Sequence, residues 1–276
     1  CIRDSFKYLH QFCALVLCFI LIVGTSSAVY ANGKFEFAVI GDTPYNGTRR
    51  VEAEAMIAEM NDNNKLEFVV HIGDIKSGSS QCTNALFEDR KVLFNTSEHP
   101  FIFLPGDNEW TDCHRANNGS FDPIERLNTL RTIFLNTNQS LGEDTITLIR
   151  QSDVTTNPAF QPYKENVLWT ERDIVFITLN IQGSNNGEGQ GITSLDNEFP
   201  TRNAANLEWL NAAFDLAESD DAPAVAVFIQ ANPIKYFLPT PGQIPRKKDL
   251  AKFPISVPLL LTYLWKVLTV AMKISC

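Results

Sequence analysis

Three apolar segments of this chain each run into a Gly-Asp pair. The acidic residues of these pairs are Asp42, Asp74 and Asp107, which follow one another at intervals of 32 and 33 residues. Such an interval is about the length of one strand–helix–strand unit. Ligands of an open α/β sheet bind at the carboxyl ends of its strands. The spacing therefore predicts a parallel sheet that brings three carboxylates to one edge.

Three carboxylates at one edge would repel one another unless a cation joins them. A single Gly-Asp pair after a strand usually reflects turn chemistry alone. Three pairs at a regular interval favour a site, so we expect Asp42, Asp74 and Asp107 to be metal ligands.

The rest of the pattern predicts an α/β fold. Predicted strands at 35–40, 66–72 and 100–104 alternate with predicted helices at 51–60 and 84–94, which indicates parallel strands with right-handed crossovers. The later predicted elements are a helix at 123–135, paired strands at 167–170 and 174–180, a helix at 203–216 and a strand at 224–229. Residues 136–162 are expected to be irregular. The glycine-rich segment 183–191 lacks dinucleotide-motif spacing and is expected to be a surface loop over the site.

Composition narrows the class of partner. The 276-residue chain is 44% hydrophobic and 20% charged, which indicates a folded core. Its net charge of −9 argues against nucleic acid or an anionic membrane as the main partner. An acidic protein can still bind phosphate esters when a metal supplies the positive charge.

The first 31 residues have the pattern of a secretory signal peptide. Arg3 and Lys7 precede an apolar run at 12–23, and small residues follow before the two possible cleavage points, Ala28 and Ala31. The apolar run is short for a transmembrane helix. We therefore expect a secreted protein with a signal peptide at 1–31, one domain at 32–245 and an apolar C-terminal segment at 246–276.

Secretion affects the interpretation of the cysteines and of four glycosylation motifs. Cys82 and Cys113 lie in loops after the second and third predicted strands, and an oxidising compartment favours a disulfide between them. The alternative is that they are reduced thiols, and Cys276 is left without a partner.

The Asn-x-Ser/Thr motifs begin at Asn46, Asn95, Asn118 and Asn138. We expect Asn46 to be unmodified, because a glycan there would crowd Asp42.

The segment 246–276 does not continue the alternation of predicted strands and helices. It is strongly apolar but interrupted by Pro258 and Lys266. It could form a core strand and helix, result from translation in a wrong frame, or anchor the chain in a membrane. A membrane span ranks last because charge at mid-span is costly.

The order of the motifs resembles that of a known family. Asp42 ends the first strand, Asp74 ends the second, and Gly106-Asp107-Asn108-Glu109 follows the third. Calcineurin-like metallophosphoesterases carry strand–Asp-x-His, strand–Gly-Asp-x-x-Asp and strand–Gly-Asn-His-Asp/Glu in this order, before two later His motifs. The resemblance covers residues 35–238.

This resemblance implies a sandwich of two mixed sheets flanked by helices, and hydrolysis of a small-molecule or protein phosphoester. Two divalent ions (Mn, Mg, Fe or Zn) about 3.5–4 Å apart would activate a water. Asp42 would hold one metal, Asp74 would bridge both, and Asp107 or Asn108 would hold the other. Asn108 falls at the catalytic His in an ungapped match. His114 would protonate the leaving group or orient the phosphate.

The chain also departs from the family pattern. Pro44 stands where the first His is expected, with Tyr45 beside it, and Ser77 replaces the second acidic residue of the second motif. After the strand ending at Ile229 the chain reads Gln-Ala-Asn-Pro, and no His occurs after His114. His71 alternates with apolar strand residues and is expected to be a hydrogen-bonded core histidine.

The expected function is thus a secreted metal-dependent phosphoesterase, truncated or impaired by the missing histidines. The alternative is a non-catalytic secreted binding protein on a degenerate phosphoesterase scaffold. A third interpretation is a surface-anchored glycoprotein held by the C-terminal apolar segment.

Overall fold

The computed structural model describes residues 35–231. The predicted signal peptide, the segment 246–276 and Cys276 lie outside the described residues. Across the described part of the chain, no helix is both long and apolar enough to cross a membrane.

The first half forms a three-stranded parallel sheet. Its strands are β1 (Glu36–Ile40), β2 (Leu66–His71) and β3 (Phe101–Phe103), in the spatial order β1-β2-β3. Helix α1 (Gly47–Asn61) connects the first two strands, and α2 (Asn84–Phe94) connects the second and third. The predicted βαβαβ unit is therefore confirmed.

Side-chain caps fix where these helices begin. Asn46 Oδ1 accepts from the Arg49 N–H at 3.0 Å before α1, and Thr83 Oγ1 accepts from the Leu86 N–H at 3.3 Å before α2. The third helix, α3 (Pro123–Phe134), begins as predicted, with Asp122 as its cap. Each cap contributes about 1 kcal/mol, because it satisfies an otherwise unpaired N–H.

The second half forms a four-stranded mixed sheet in the order β4-β5-β6-β7, in which β4 is the short strand Ile149–Arg150. Strands β5 (Val167–Glu171) and β6 (Ile174–Thr178) pair antiparallel, as predicted, while β7 (Val225–Phe228) runs parallel to β6. The long helix α5 (Thr193–Ser219) makes the crossover between β6 and β7.

Two predictions for this half are wrong. The region expected to be irregular contains β4 (Ile149–Arg150), the short helix α4 (Gln151–Val154) and a 3₁₀ turn (Pro158–Phe160). Helix α5 begins ten residues before the predicted start, although proline is unfavourable inside a helix and Pro200 lies within it. Burial of Leu195 and Phe199 in its first turns offsets that cost.

Most of the buried apolar residues in the described part of the chain fall into three layers, and a small fourth cluster contains Phe160, Tyr163 and Ala205. Residues of both sheets meet in the central layer, where the Phe68 and Trp169 rings pack edge to face with centroids 5.3 Å apart. Helices α1, α2 and α3 cover the outer face of the parallel sheet, and α5 covers the outer face of the mixed sheet. The fold is thus α/β, with two small sheets between helices. The strands β1, β2 and β3 pair in parallel, and Phe101 of β3 also forms an isolated antiparallel bridge with Leu141.

Candidate metal-binding site

The three predicted carboxylates lie at the same end of the parallel sheet. Asp42, Asp74 and Asp107 follow the carboxyl ends of β1, β2 and β3, and we call this cluster the acidic edge. The Asp42 N–H donates to the Gly73 carbonyl at 3.1 Å, which joins the first two loops. Asp42 and Asp74 have left-handed backbones, with φ of +57° and +60°. Such conformations are uncommon outside glycine and cluster at functional sites.

The glycines of two motifs are required by close backbone approach. A Cβ on Gly106 would lie 2.3 Å from Asp74 Oδ1, and a Cβ on Gly73 would lie 2.2 Å from the Gly106 nitrogen. A larger residue at either position would push the loops after β2 and β3 apart. In these two Gly-Asp pairs, glycine is therefore required because the loops pack too closely for a side chain.

A buried glutamate fastens these two loops together. Glu109 is fully buried, and its Oε1 accepts from the Gly106 N–H at 2.6 Å and from the Asp74 N–H at 3.0 Å. Its Oε2 has no hydrogen-bond partner in the described structure. Burial raises the pKa of Glu109 to about 7. Glu109 was visible in the sequence motif, but no role was predicted for it.

One amide joins two of the carboxylates. Gln230 Nε2 donates to Asp74 Oδ2 at 3.1 Å and to Asp107 Oδ1 at 3.3 Å. Burial, followed by the charges of Glu109 and Asp107, raises the pKa of Asp74 to about 9. Gln230 lies just after β7, where the family resemblance places a His motif, so its position was a usable signal.

Asp42 is paired with a tyrosine instead. The Tyr45 hydroxyl donates to Asp42 Oδ1 at 2.5 Å. Burial raises the Tyr45 pKa, and the bond to Asp42 and the charge on Asp74 raise it further. The phenol therefore stays protonated at neutral pH and acts as a hydrogen-bond donor.

His71 is a structural residue, which confirms that expectation. Its ring is fully buried, Nε2 donates to the Thr43 carbonyl at 2.8 Å, and Nδ1 accepts from the Gly73 N–H at 3.1 Å. Burial lowers its pKa to about 4. The neutral ring therefore ties the loop after β1 to the turn after β2.

Asn108 contacts the acidic edge through its backbone. Its N–H donates to Asp74 Oδ1 at 3.2 Å, while its side-chain Nδ2 donates to the Lys76 carbonyl at 3.0 Å. The fully buried Lys76 ammonium donates to the Asn108 carbonyl and to Asn118 Oδ1, both at 2.7 Å. Burial lowers the Lys76 pKa to about 8. Lys76 thus braces the loop that carries Asn108.

The predicted disulfide is confirmed. Cys82 and Cys113 are bonded, with Cα atoms 5.9 Å apart, and both are fully buried. Their sulfurs lie 3.7 and 3.8 Å from the Asn108 carbonyl oxygen. The disulfide therefore packs against the same loop that Lys76 braces.

The glycine-rich segment meets the acidic edge with its first two residues. The Ser184 hydroxyl donates to Asp107 Oδ2 at 2.6 Å and lies 3.3 Å from Asp112 Oδ1. A Cβ on Gly183 would come 2.9 Å from Asp107 Oδ2. Gly189 has open space around it. No sequence motif indicated either Ser184 or Asp112.

His114, unlike Ser184, makes no described hydrogen bond to the acidic edge. It is half-buried in a 3₁₀ turn (Thr111–His114), where Nδ1 donates to the Thr111 carbonyl at 2.7 Å. Its described hydrogen bond stays within that turn and does not reach the acidic edge.

Within residues 35–231, no group of three or more His, Cys, Asp or Glu side chains is arranged to hold a metal ion. At the acidic edge, carboxylates are instead joined to an amide, a phenol and a hydroxyl. A cation at this edge would therefore need neutral oxygen ligands as well as carboxylates.

No protein-family model matches this chain, and no curated protein is significantly similar to it. The resemblance to calcineurin-like metallophosphoesterases therefore depends on the motifs and on the order of the elements. Any functional assignment depends on the geometry of the acidic edge.

Proposed function

We propose that this chain is a secreted, metal-dependent phosphoester hydrolase resembling the calcineurin-like metallophosphoesterases. The observation that carries the proposal is the pair Asp74 and Asp107, two carboxylates from neighbouring strand ends that share one neutral amide donor from Gln230. Burial and the neighbouring carboxylates raise the pKa of Asp74 to about 9, and a cation between Asp74 and Asp107 would favour the ionised form of Asp74. Asp74 is only 6% exposed, so little water screens the interaction between such a cation and its carboxylate.

The donor set fits a hard divalent cation. Asp74, Asp107 and Asp42 offer carboxylate oxygens, and the Ser184 and Tyr45 hydroxyls that bond Asp107 and Asp42 offer neutral oxygens. Such ligands suit Mg²⁺, Mn²⁺ or Ca²⁺, whereas zinc and iron sites generally rely on imidazole or thiolate. Mg²⁺ and Mn²⁺ are therefore favoured over Zn and Fe. When bound, such a cation polarises a phosphoryl oxygen and lowers the pKa of a water molecule.

The residues around the edge orient these ligands. Ser184 holds Asp107, Tyr45 holds Asp42, and the Asn108 N–H holds Asp74. Supporting bonds of this kind fix ligand geometry, and their loss typically costs about 10–100-fold in affinity or activity. His114 is the proposed proton donor to the leaving group, with Nδ1 fixed on the Thr111 carbonyl. Because the late histidines are missing, we expect weak or absent turnover of a generic phosphomonoester.

A buried disulfide is compatible with the oxidising compartment that secretion implies. The second candidate is a non-catalytic secreted binding protein on the same scaffold. It is favoured by the described contact of His114, which stays within its own turn. Metal binding without turnover would support this second candidate.

The test is calorimetric titration of Mg²⁺ and Mn²⁺ beside a phosphatase assay, on the wild type, Asp74→Asn and Asp173→Asn. Asp173 is a matched control, because it also has a left-handed backbone, with φ of +64°, and lies in the turn before β6 at the opposite end of the strands. We expect Asp74→Asn to abolish binding and Asp173→Asn to retain it. Equal binding by the wild type and Asp74→Asn would refute the metal site.

A further inference from the structure

Arg115 is a half-exposed cation held at the rim of the acidic edge. It follows the 3₁₀ turn that ends at His114, and 45% of its side chain is exposed. Its Nη1 donates to Asp112 Oδ2 at 2.6 Å. Asp112 is almost fully buried, so it holds one end of the guanidinium, while nearly half of the Arg115 side chain remains exposed.

Asp112 connects Arg115 to Asp107. The second carboxylate oxygen of Asp112, Oδ1, lies 3.3 Å from the Ser184 hydroxyl, which donates to Asp107 Oδ2. The Asp112 N–H also donates to the Asp107 carbonyl at 3.0 Å. The guanidinium therefore stands at one end of a short polar chain whose other end is a proposed metal ligand.

Gly78 lies beside both Asn108 and the carboxylate that Arg115 binds. A Cβ on Gly78 would lie 2.9 Å from Asn108 Oδ1 and 3.5 Å from Asp112 Oδ2. The Asn108 side chain and the oxygen that Arg115 binds thus border the same glycine. The loop after β2 and the turn carrying Arg115 meet at this point.

Two other cations near the acidic edge, Lys76 and Arg90, are buried and already bonded. Lys76 donates to three oxygens, and Arg90 donates to the Ile75 carbonyl at 2.9 Å and to the Pro44 carbonyl at 3.3 Å. The described hydrogen bonds of Arg115 use one of its five N–H groups. Arg115 can therefore bind a solute anion without breaking its bond to Asp112.

We propose that Arg115 binds the anionic phosphoryl group of the substrate at the acidic edge. This inference depends on the proposed function, since it assigns a substrate-binding residue to that same site. A negatively charged ester approaching three carboxylates needs an added positive charge at the rim. The planar guanidinium supplies that charge and can donate two parallel hydrogen bonds to phosphate oxygens.

The experiment is calorimetric titration of inorganic phosphate, with and without Mg²⁺, into the wild type, Arg115→Gln, Arg115→Lys and Arg172→Gln. Arg172 is a matched control, because its side chain is 42% exposed, it pairs with Glu67 at 2.6 Å, and it lies in the turn before β6. We expect phosphate binding to weaken by roughly tenfold or more in Arg115→Gln and by less in Arg115→Lys. The control should bind phosphate like the wild type.

Separate Mg²⁺ titrations distinguish the two proposals. Phosphate binding that depends on Arg115 in a protein without Mg²⁺ binding would support the role of Arg115 and refute the metal site. Absence of phosphate binding by the wild type, or equal binding by the wild type and Arg115→Gln, would overturn the role of Arg115. Because Arg115→Lys keeps a cation beside Asp112, it guards against a folding defect in Arg115→Gln. Thermal melts of all four proteins check folding directly.

Discussion

The backbone N–H of Asp74 donates to the fully buried carboxylate of Glu109 at 3.0 Å, and the same oxygen accepts from Gly106 at 2.6 Å. One side chain thus accepts hydrogen bonds from backbone N–H groups of two loops at the point where the loops approach most closely. The carboxylate positions Asp74 without itself lying among the proposed ligands. This relationship makes Glu109 the residue whose loss should loosen the acidic edge most.

Glu109→Ala should destabilise the fold by about 2–6 kcal/mol, because two buried N–H groups lose their acceptor at about 1–3 kcal/mol each. Urea denaturation measures the difference. Glu59→Ala, at an exposed position of α1, is the control and should change stability little. Equal midpoints for the wild type and Glu109→Ala would contradict the role assigned to Glu109.

His71 predicts how stability depends on pH. Burial lowers the pKa of His71 in the folded chain to about 4, against an ordinary value near 6.5. Between these two pH values, His71 is therefore protonated in the unfolded chain but neutral in the folded chain. The stabilising effect is complete above about pH 6.5 and is lost as the pH falls toward about 4. The loss amounts to about 3 kcal/mol.

The measurement is the free energy of unfolding from pH 7 to 4 in the wild type and His71→Gln. His71→Gln should be less stable at neutral pH but should show a shallower slope in this window. His99→Gln serves as a control of the same chemistry, because His99 is bonded at the Met60 carbonyl away from the acidic edge. Parallel curves for the wild type and His71→Gln would exclude the histidine as the source of the slope.

Local sequence signals predicted the parallel half of the fold well. The Gly-Asp pairs, the Asp122–Pro123 helix start and the positions of Cys82 and Cys113 depend on short-range chemistry or on simple βαβ geometry. These features place the three carboxylates at one edge without any knowledge of long-range packing. The buried position of His71 likewise follows from its apolar neighbours within a single strand, which is buried on both faces.

The remaining features depend on contacts between distant segments. Ser184 reaches Asp107 across 77 positions of the chain, and Gln230 reaches Asp74 across 156. No local pattern encodes such pairs. Pro200 argues against a helix that begins as early as α5 does. The burial of Leu195 offsets the proline, but this burial is a tertiary effect that a local pattern does not reveal.

The Cys82–Cys113 disulfide should contribute about 2–4 kcal/mol, since it closes a loop spanning 31 positions. The double variant Cys82→Ala/Cys113→Ala should lower the midpoint of urea unfolding accordingly. It should also weaken Mg²⁺ binding, because both sulfurs pack against the Asn108 carbonyl. Wild type treated with a reductant is the matched comparison, and unchanged stability in both samples would contradict this contribution.

The four glycosylation motifs differ in their surroundings, which predicts their use after passage through a eukaryotic secretory pathway. Asn118 is fully buried, and its Nδ2, the atom that a glycan would occupy, donates to the Gly78 carbonyl at 2.8 Å. Asn95 and Asn138 are exposed. Asn46 is exposed but caps α1 through its Oδ1 and lies close to Asp42.

We therefore expect glycans on Asn95 and Asn138 and none on Asn118 or Asn46. Peptide mass spectrometry after enzymatic deglycosylation in ¹⁸O water reads the modified sites directly. Asn138→Gln should remove one glycan and leave stability almost unchanged, whereas Asn118→Gln should destabilise the fold, because the bonds to Gly78 and Lys76 both depend on this amide. A glycan on Asn118 in folded, secreted protein would be incompatible with the packing beneath the acidic edge.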